Sequence, residues 1–188
     1  FLLNPVSFLS AETTRARPPI TGIANFVVKV ANLAEATRFY TGVLGYEQVF
    51  AHQRPGVPGD IAVFKVNEKQ YIEVAPVLAN ESDDKLIQIG FETKDARKLR
   101  EYLASKGVTV PAKVSKDGDG NLSFVVKDPE GHAVEFVEYV KGSRHGKSAG
   151  KGLNDRRISD HLLHVGVHVK DPDVQDKFYK EILGFRFQ

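Results

Sequence analysis

The chain has 188 residues, room for one or two domains, and its 41% hydrophobic and 27% charged content is that of an ordinary globular protein. It has no cysteine, which excludes disulfides, zinc–thiolate sites and thiol nucleophiles. No run of about 18 apolar residues is present, so no helix is expected to span a membrane. The net charge of +2 conceals an asymmetry: residues 141–157 carry +5 in a Gly-rich stretch, so the remainder sums to −3. Such a stretch reads as a basic linker rather than a nucleic-acid-binding face.

Residues 1–19 read as an N-terminal arm or as the remnant of a secretory signal peptide. FLLNPVSFLSA is apolar and ends at Ala11, a candidate cleavage position, before the polar, Pro-rich ETTRARPP. A remnant implies a secreted or periplasmic protein, an arm a cytoplasmic one. The sequence contains no Met and reads as a fragment open at both ends.

Residues 23–30 alternate as a strand. Asn32 and Glu35 form a capping box for a helix whose stripe is Leu33, Ala36, Phe39, Tyr40, Val43 and Leu44. Strands follow at 46–51, 61–66 and 70–76. The Pro/Gly stretch 54–59 is a candidate lid or connector. The unit then recurs, with a strand expected at 86–92, then a helix capped by Asp95 with Ala96, Leu99 and Leu103 on one face and Gly107 at its end. Strands near 108–114, 121–127 and 132–139 complete this unit. Asp117-Gly118-Asp119-Gly120-Asn121 reads as a hairpin turn, because Leu122 stands where a calcium loop needs Gly. Asp128-Pro129-Glu130-Gly131 reads as a type I turn, and His132 beside it as a turn residue. Gly146-Lys147-Ser148 is not a phosphate loop, because Lys141 stands where the first Gly is needed.

The opening of the chain recurs. NFVVKVANLAEATRFYTGVLGY at 25–46 lies on HVGVHVKDPDVQDKFYKEILGF at 164–185, with Phe39-Tyr40 on Phe178-Tyr179 and Leu44-Gly45 on Leu183-Gly184. Residues 20–140 thus hold two βαβββ units, a complete α+β domain. Residues 158–188 read as the truncated start of a second such domain. Two units side by side form a curved, cup-shaped mixed sheet with helices on its convex face, and a cup suits a ligand.

The paired βαβββ units, the FY…LG exits and the DPEGHAVEF hairpin resemble the vicinal oxygen chelate superfamily, which includes glyoxalase I, bleomycin-resistance proteins and extradiol dioxygenases. The resemblance covers about 20–140 and the opening at 158–188. It implies metal ligands on the first and last strands of each unit: Asn25 and Gln88 at positions typically held by His, Glu73 and Glu135 at the carboxylate positions. Alternation puts Asn25 with Val27 and Lys29 on the cup face, away from the helix. In the third unit His164 takes the position of Asn25 and is a further implied ligand.

An all-oxygen set suits Mn²⁺ or Mg²⁺ at the first domain, or no metal at all. In the metal-free alternative, Asn25 and Gln88 hydrogen-bond the carboxylates. Fe or Mn is implied at the second domain. The resemblance further implies a small-molecule substrate with adjacent oxygens, and a Glu (Glu73 or Glu135) as proton shuttle in a glyoxalase-like case. The full-length protein reads as a metal-dependent lyase or ring-cleaving dioxygenase, with pairing of two copies as a homodimer. The alternatives are a metal-free small-molecule binder and a scaffold for the second domain.

Overall fold

The computed structural model describes residues 16–186; Ala11 and the rest of the expected signal-peptide remnant lie outside the described residues. The first unit consists of β1 (Ile20–Lys29), α1 (Leu33–Arg38), β2 (Glu47–Arg54), β3 (Val57–Lys65) and β4 (Tyr71–Ala75). The second consists of β5 (Leu86–Thr93), α2 (Ala96–Ser105), β6 (Ser115–Lys116), β7 (Leu122–Lys127) and β8 (Ala133–Glu138). They form one mixed sheet in the order β2-β3-β4-β1-β5-β8-β7-β6. β1 is parallel to β4 and β5 to β8, and the two units join through the antiparallel pair β1–β5.

Alternation decides what each face buries. Phe26, Val28 and Val30 turn to the convex side and meet Leu33, Ala36, Tyr40 and Leu44. Asn32 caps α1, accepting from the Ala34 and Glu35 amides. After Arg38 the helix widens into a π-helical turn, Phe39–Val43, closed by the Leu44 amide on the Phe39 carbonyl. That widening keeps Tyr40 stacked on Phe64, ring centroids 4.9 Å apart, while Phe39 and Val43 are exposed. The expected helical stripe is therefore split by the π turn. Asp95 caps α2, whose Leu99 and Leu103 pack on Phe124, Val134 and Phe136.

Two expected strands differ. Residues 108–114 are irregular and only Ser115–Lys116 pairs. Pro111 cannot donate to a ladder, and Val108, Val110 and Val114 pack against the α2 core instead. Residues 162–169, the expected first strand of the third unit, are also irregular. The strands they copy in pattern, β1 and β5, are paired on both sides, which leaves no edge for them there. The end of the chain nevertheless packs: α4 (Pro172–Asp176), capped by Asp171, runs into a π turn, Lys177–Ile182, whose Phe178 joins the α2 core together with Leu183.

The expected linker is structured too. Ser143 caps the short α3 (Arg144–Lys147), and Ser143 and Ser148 are buried. We call residues 139–150 the strap. Buried Lys65 donates to the Ser148 carbonyl at 2.7 Å, and the Gly150 amide donates to Glu68 at 2.9 Å. Arg144 donates its backbone N–H to the Asp119 carbonyl and its guanidinium to the Ala51 carbonyl. It so ties the β6–β7 turn to β2, the two opposite ends of the curled sheet. Among the described residues no helix is long and apolar enough to cross a membrane.

Candidate functional site

The concave face is polar at one end and aromatic at the other. Alternation brings Asn25, Glu73, Gln88 and Glu135 onto this face, and all four are buried. Gln88 Nε2 donates to Glu135 Oε2 at 2.7 Å. Arg54, at the end of β2, donates to Gln88 Oε1 at 2.9 Å and to Glu73 Oε2 at 3.3 Å. A guanidinium thus lies between Glu73 and Gln88, two of the four ligands expected in the first domain. Asn25 covers Gly90, where an added Cβ would overlap its carboxamide, and Asn25 Oδ1 is buried without a hydrogen bond. His164 is exposed on the irregular segment 162–169, with no hydrogen bond to this cluster.

A second constellation adjoins the first and shares Glu73. His52 Nε2 lies 3.3 Å from Glu73 Oε2 and 3.5 Å from Asp119 Oδ1. One ligand atom from each of the three residues lies within 4.8 Å of the other two. His52 comes from β2, Glu73 from β4 and Asp119 from the β6–β7 turn, so the group exists only because the sheet curls far enough for its ends to meet. Two local features set it. Asp117 accepts the amides of Asp119 and Asn121 and shapes the turn. Gly118 leaves its side-chain space to the His52 ring, which any Cβ there would overlap.

The electrostatics follow from burial around one central carboxylate. Burial, then the charge of Glu73, pushes Glu135 up to about 7, partly offset by Arg54. The same two causes push Asp119 up to about 8 against the pull of His52. Burial lowers the His52 pKa, but the hydrogen bond from its ring to Glu73 and the charges of Glu73 and Asp119 more than offset it, so the net shift is upward. His52 Nε2 lies within hydrogen-bond reach of Glu73 Oε2, and its Nδ1 faces the Gln53 carbonyl 3.4 Å away.

His52, Arg54 and Asp119 are absent from the sequence reading. His52 and Arg54 share the parity of Phe50, which could have found them had the strand been extended past residue 51. The stretch 54–59 turned that extension away; it is the β2–β3 hairpin turn and the start of β3, with Gly56 at φ +80°. The DGDGN stretch is the hairpin turn it was read as, but side-chain direction in a turn has no period to read. His132 does serve its turn, with Nδ1 2.8 Å from Asp128 Oδ2.

Fold and site together define a protein whose curled βαβββ pair holds buried carboxylates at the centre of a cup. The sequence matches the Glyoxalase/Bleomycin resistance protein/Dioxygenase superfamily over residues 22–136, and the chain belongs to that superfamily. Solved structures share its fold. A Streptomyces coelicolor methylmalonyl-CoA epimerase variant in complex with 2-nitronate-propionyl-CoA superposes with a TM-score of 0.57 at 16% identity, over 65% of this chain and 99% of that one. Methylmalonyl-CoA epimerase from Mycobacterium tuberculosis gives 0.56 at 17% identity, over 66% and 92%. The 2,3-dioxygenase LapB from Pseudomonas sp. KL28 gives 0.51 at 16%, over 62% of this chain and 42% of that one. No curated protein sequence matches the chain significantly.

Proposed function

We propose that the chain is a metal-binding member of this superfamily, glyoxalase- or dioxygenase-like, that takes a small molecule with adjacent oxygens into the cup. The observation that carries the reading is the His52–Glu73–Asp119 group. Ligand atoms about 2.0–2.2 Å from one ion lie roughly 3–3.6 Å apart, so the 3.3 and 3.5 Å separations fit a common ion. Asp119 Oδ1 is buried without a hydrogen bond, which leaves it a lone pair to give. One imidazole and two carboxylates suit Mn²⁺ or Fe²⁺ better than the all-oxygen set expected from sequence. An ion held there would supply Lewis acidity toward the two oxygens.

The rest of the work falls to the chain's own groups. Arg54 pins Glu73 Oε2, and the Gln53 carbonyl orients His52 so that Nε2 faces the carboxylates. Glu135, poised at about 7 and outside the His52–Glu73–Asp119 group, can take or give a proton near neutral pH, and Gln88 orients it. The epimerase and dioxygenase neighbours act on small molecules, which supports this class without choosing within it.

One observation favours a second reading, a metal-free binding cup: Arg54 already places a cation between Glu73 and Gln88. Titration of chelator-stripped protein with Mn²⁺ separates the two. The metal reading expects about one equivalent bound, and a loss on the order of tenfold in affinity or more for Asp119→Asn. Gln88→Ala should change little. Equal Mn²⁺ affinity in wild type and Asp119→Asn would overturn this group as the site, and no saturable binding to either leaves the metal-free reading.

A further inference from the structure

The aromatic end of the cup holds a ring supplied by the strap. His145 lies flat on Tyr139, with centroids 3.7 Å apart and planes at 9°. The edge of Tyr71 closes the other side at 4.8 Å, and Phe50 backs Tyr71 at 6.1 Å. Parity puts Tyr71 and Tyr139 on the cup face with Glu73 and Glu135. The imidazole is poorly matched to this place as a permanent occupant: its Nδ1 is buried without a hydrogen bond. Burial, reinforced by the nearby Lys65 charge, drops its pKa to about 4, so a neutral planar ring fills the slot at neutral pH. The strap is anchored independently of the ring, through Arg144, Ser148 and Gly150. Beside it a cavity of about 410 Å³ opens between β2 and the strap, lined by Phe50, Arg144, Lys147 and Lys151 among others. Arg144 and Lys147 come from the strap and Lys151 from the residue just after it, and Glu47 of β2 lines the same cavity.

We infer that His145 is an internal stand-in for a ligand, and that the slot between Tyr139 and Tyr71 takes a small planar aromatic acid. The ring stacks on Tyr139 in place of the imidazole, and the carboxylate meets the basic side chains of the strap. This deepens the reading of the cup as a small-molecule site by naming a ligand class, and it needs no ion.

The test uses the full chain in EDTA, so that its failure leaves the Mn²⁺ titration untouched. Benzoate is titrated into wild type and His145→Ala, followed by calorimetry or by tyrosine emission, which no tryptophan obscures because the chain has 6 Tyr and no Trp. An internal competitor lowers apparent affinity by the fraction of time it vacates the site, so His145→Ala should bind benzoate about tenfold tighter or more. Adding Tyr139→Leu should abolish that gain. In wild type, saturating benzoate should speed amide exchange across 143–150 by expelling the ring. Three results each overturn the inference: equal affinity in both proteins, no binding to either with no change in exchange, or cyclohexanecarboxylate binding as well as benzoate.

Discussion

Glu73 is the residue on which the polar end turns. His52 and Arg54 both engage its Oε2, and its charge raises both Glu135 and Asp119. The unfolded chain releases these protons near the ordinary values of 4.5 for Glu135 and 3.8 for Asp119, whereas the folded protein holds them to about 7 and about 8. Across that window the native state binds more protons than the unfolded state, so stability falls as pH rises. His52, with its raised pKa, adds a fall in the same direction above 6.5, its ordinary value. His145, held to about 4, works the other way up to 6.5, but the three raised groups outweigh it, so metal-free protein should melt at a lower temperature at pH 7.5 than at pH 5. Glu135→Gln, which keeps a partner for Gln88, should recover part of that drop; an undiminished drop in the variant would show that Glu135 titrates normally. At this scale the sequence was legible where parity rules. Asn25, Glu73, Gln88 and Glu135 all reach the cup face. It was silent on Asp119, whose direction depends on a turn and on a contact between sheet edges far apart in sequence.

At the scale of elements, hydrophobic alternation and caps carried most of the information. Asn32 and Asp95 cap the helices they were expected to cap. The π turn escaped, because one inserted residue shifts which side chains face inward without changing composition. Its consequence is measurable. Tyr40→Ala, which removes the stack on Phe64, should cost about 2 kcal/mol or more in denaturant unfolding. Phe39→Ala, next to it in the expected stripe but 49% exposed, should stay within about 0.5 kcal/mol. Similar costs at both positions would mean the helix continues in α register. The missing strand at 108–114 has a related cause: its valines serve the α2 core rather than a ladder.

For the whole molecule, sheet closure is what turns scattered residues into a site. The His52–Asp119 approach and the Arg144 bridge both join the two ends of the sheet, and the strap covers the aromatic end of the cup. Composition cast residues 141–157 as a linker because Gly and Lys dominate. What fixes part of that stretch is tertiary: a buried lysine, Lys65, whose ammonium donates to a strap carbonyl. Such a contact leaves no local pattern. Closure also underlies our proposal of an ion at the seam, since at the strand positions Arg54 already places a positive charge between Glu73 and Gln88.

That placement is open to direct observation in crystals of the protein soaked with Mn²⁺, by anomalous scattering. The account predicts a peak about 2.2 Å from His52 Nε2 and from one oxygen each of Glu73 and Asp119. A peak among Asn25, Gln88 and Glu135, or none at an occupancy-saturating concentration, would contradict it.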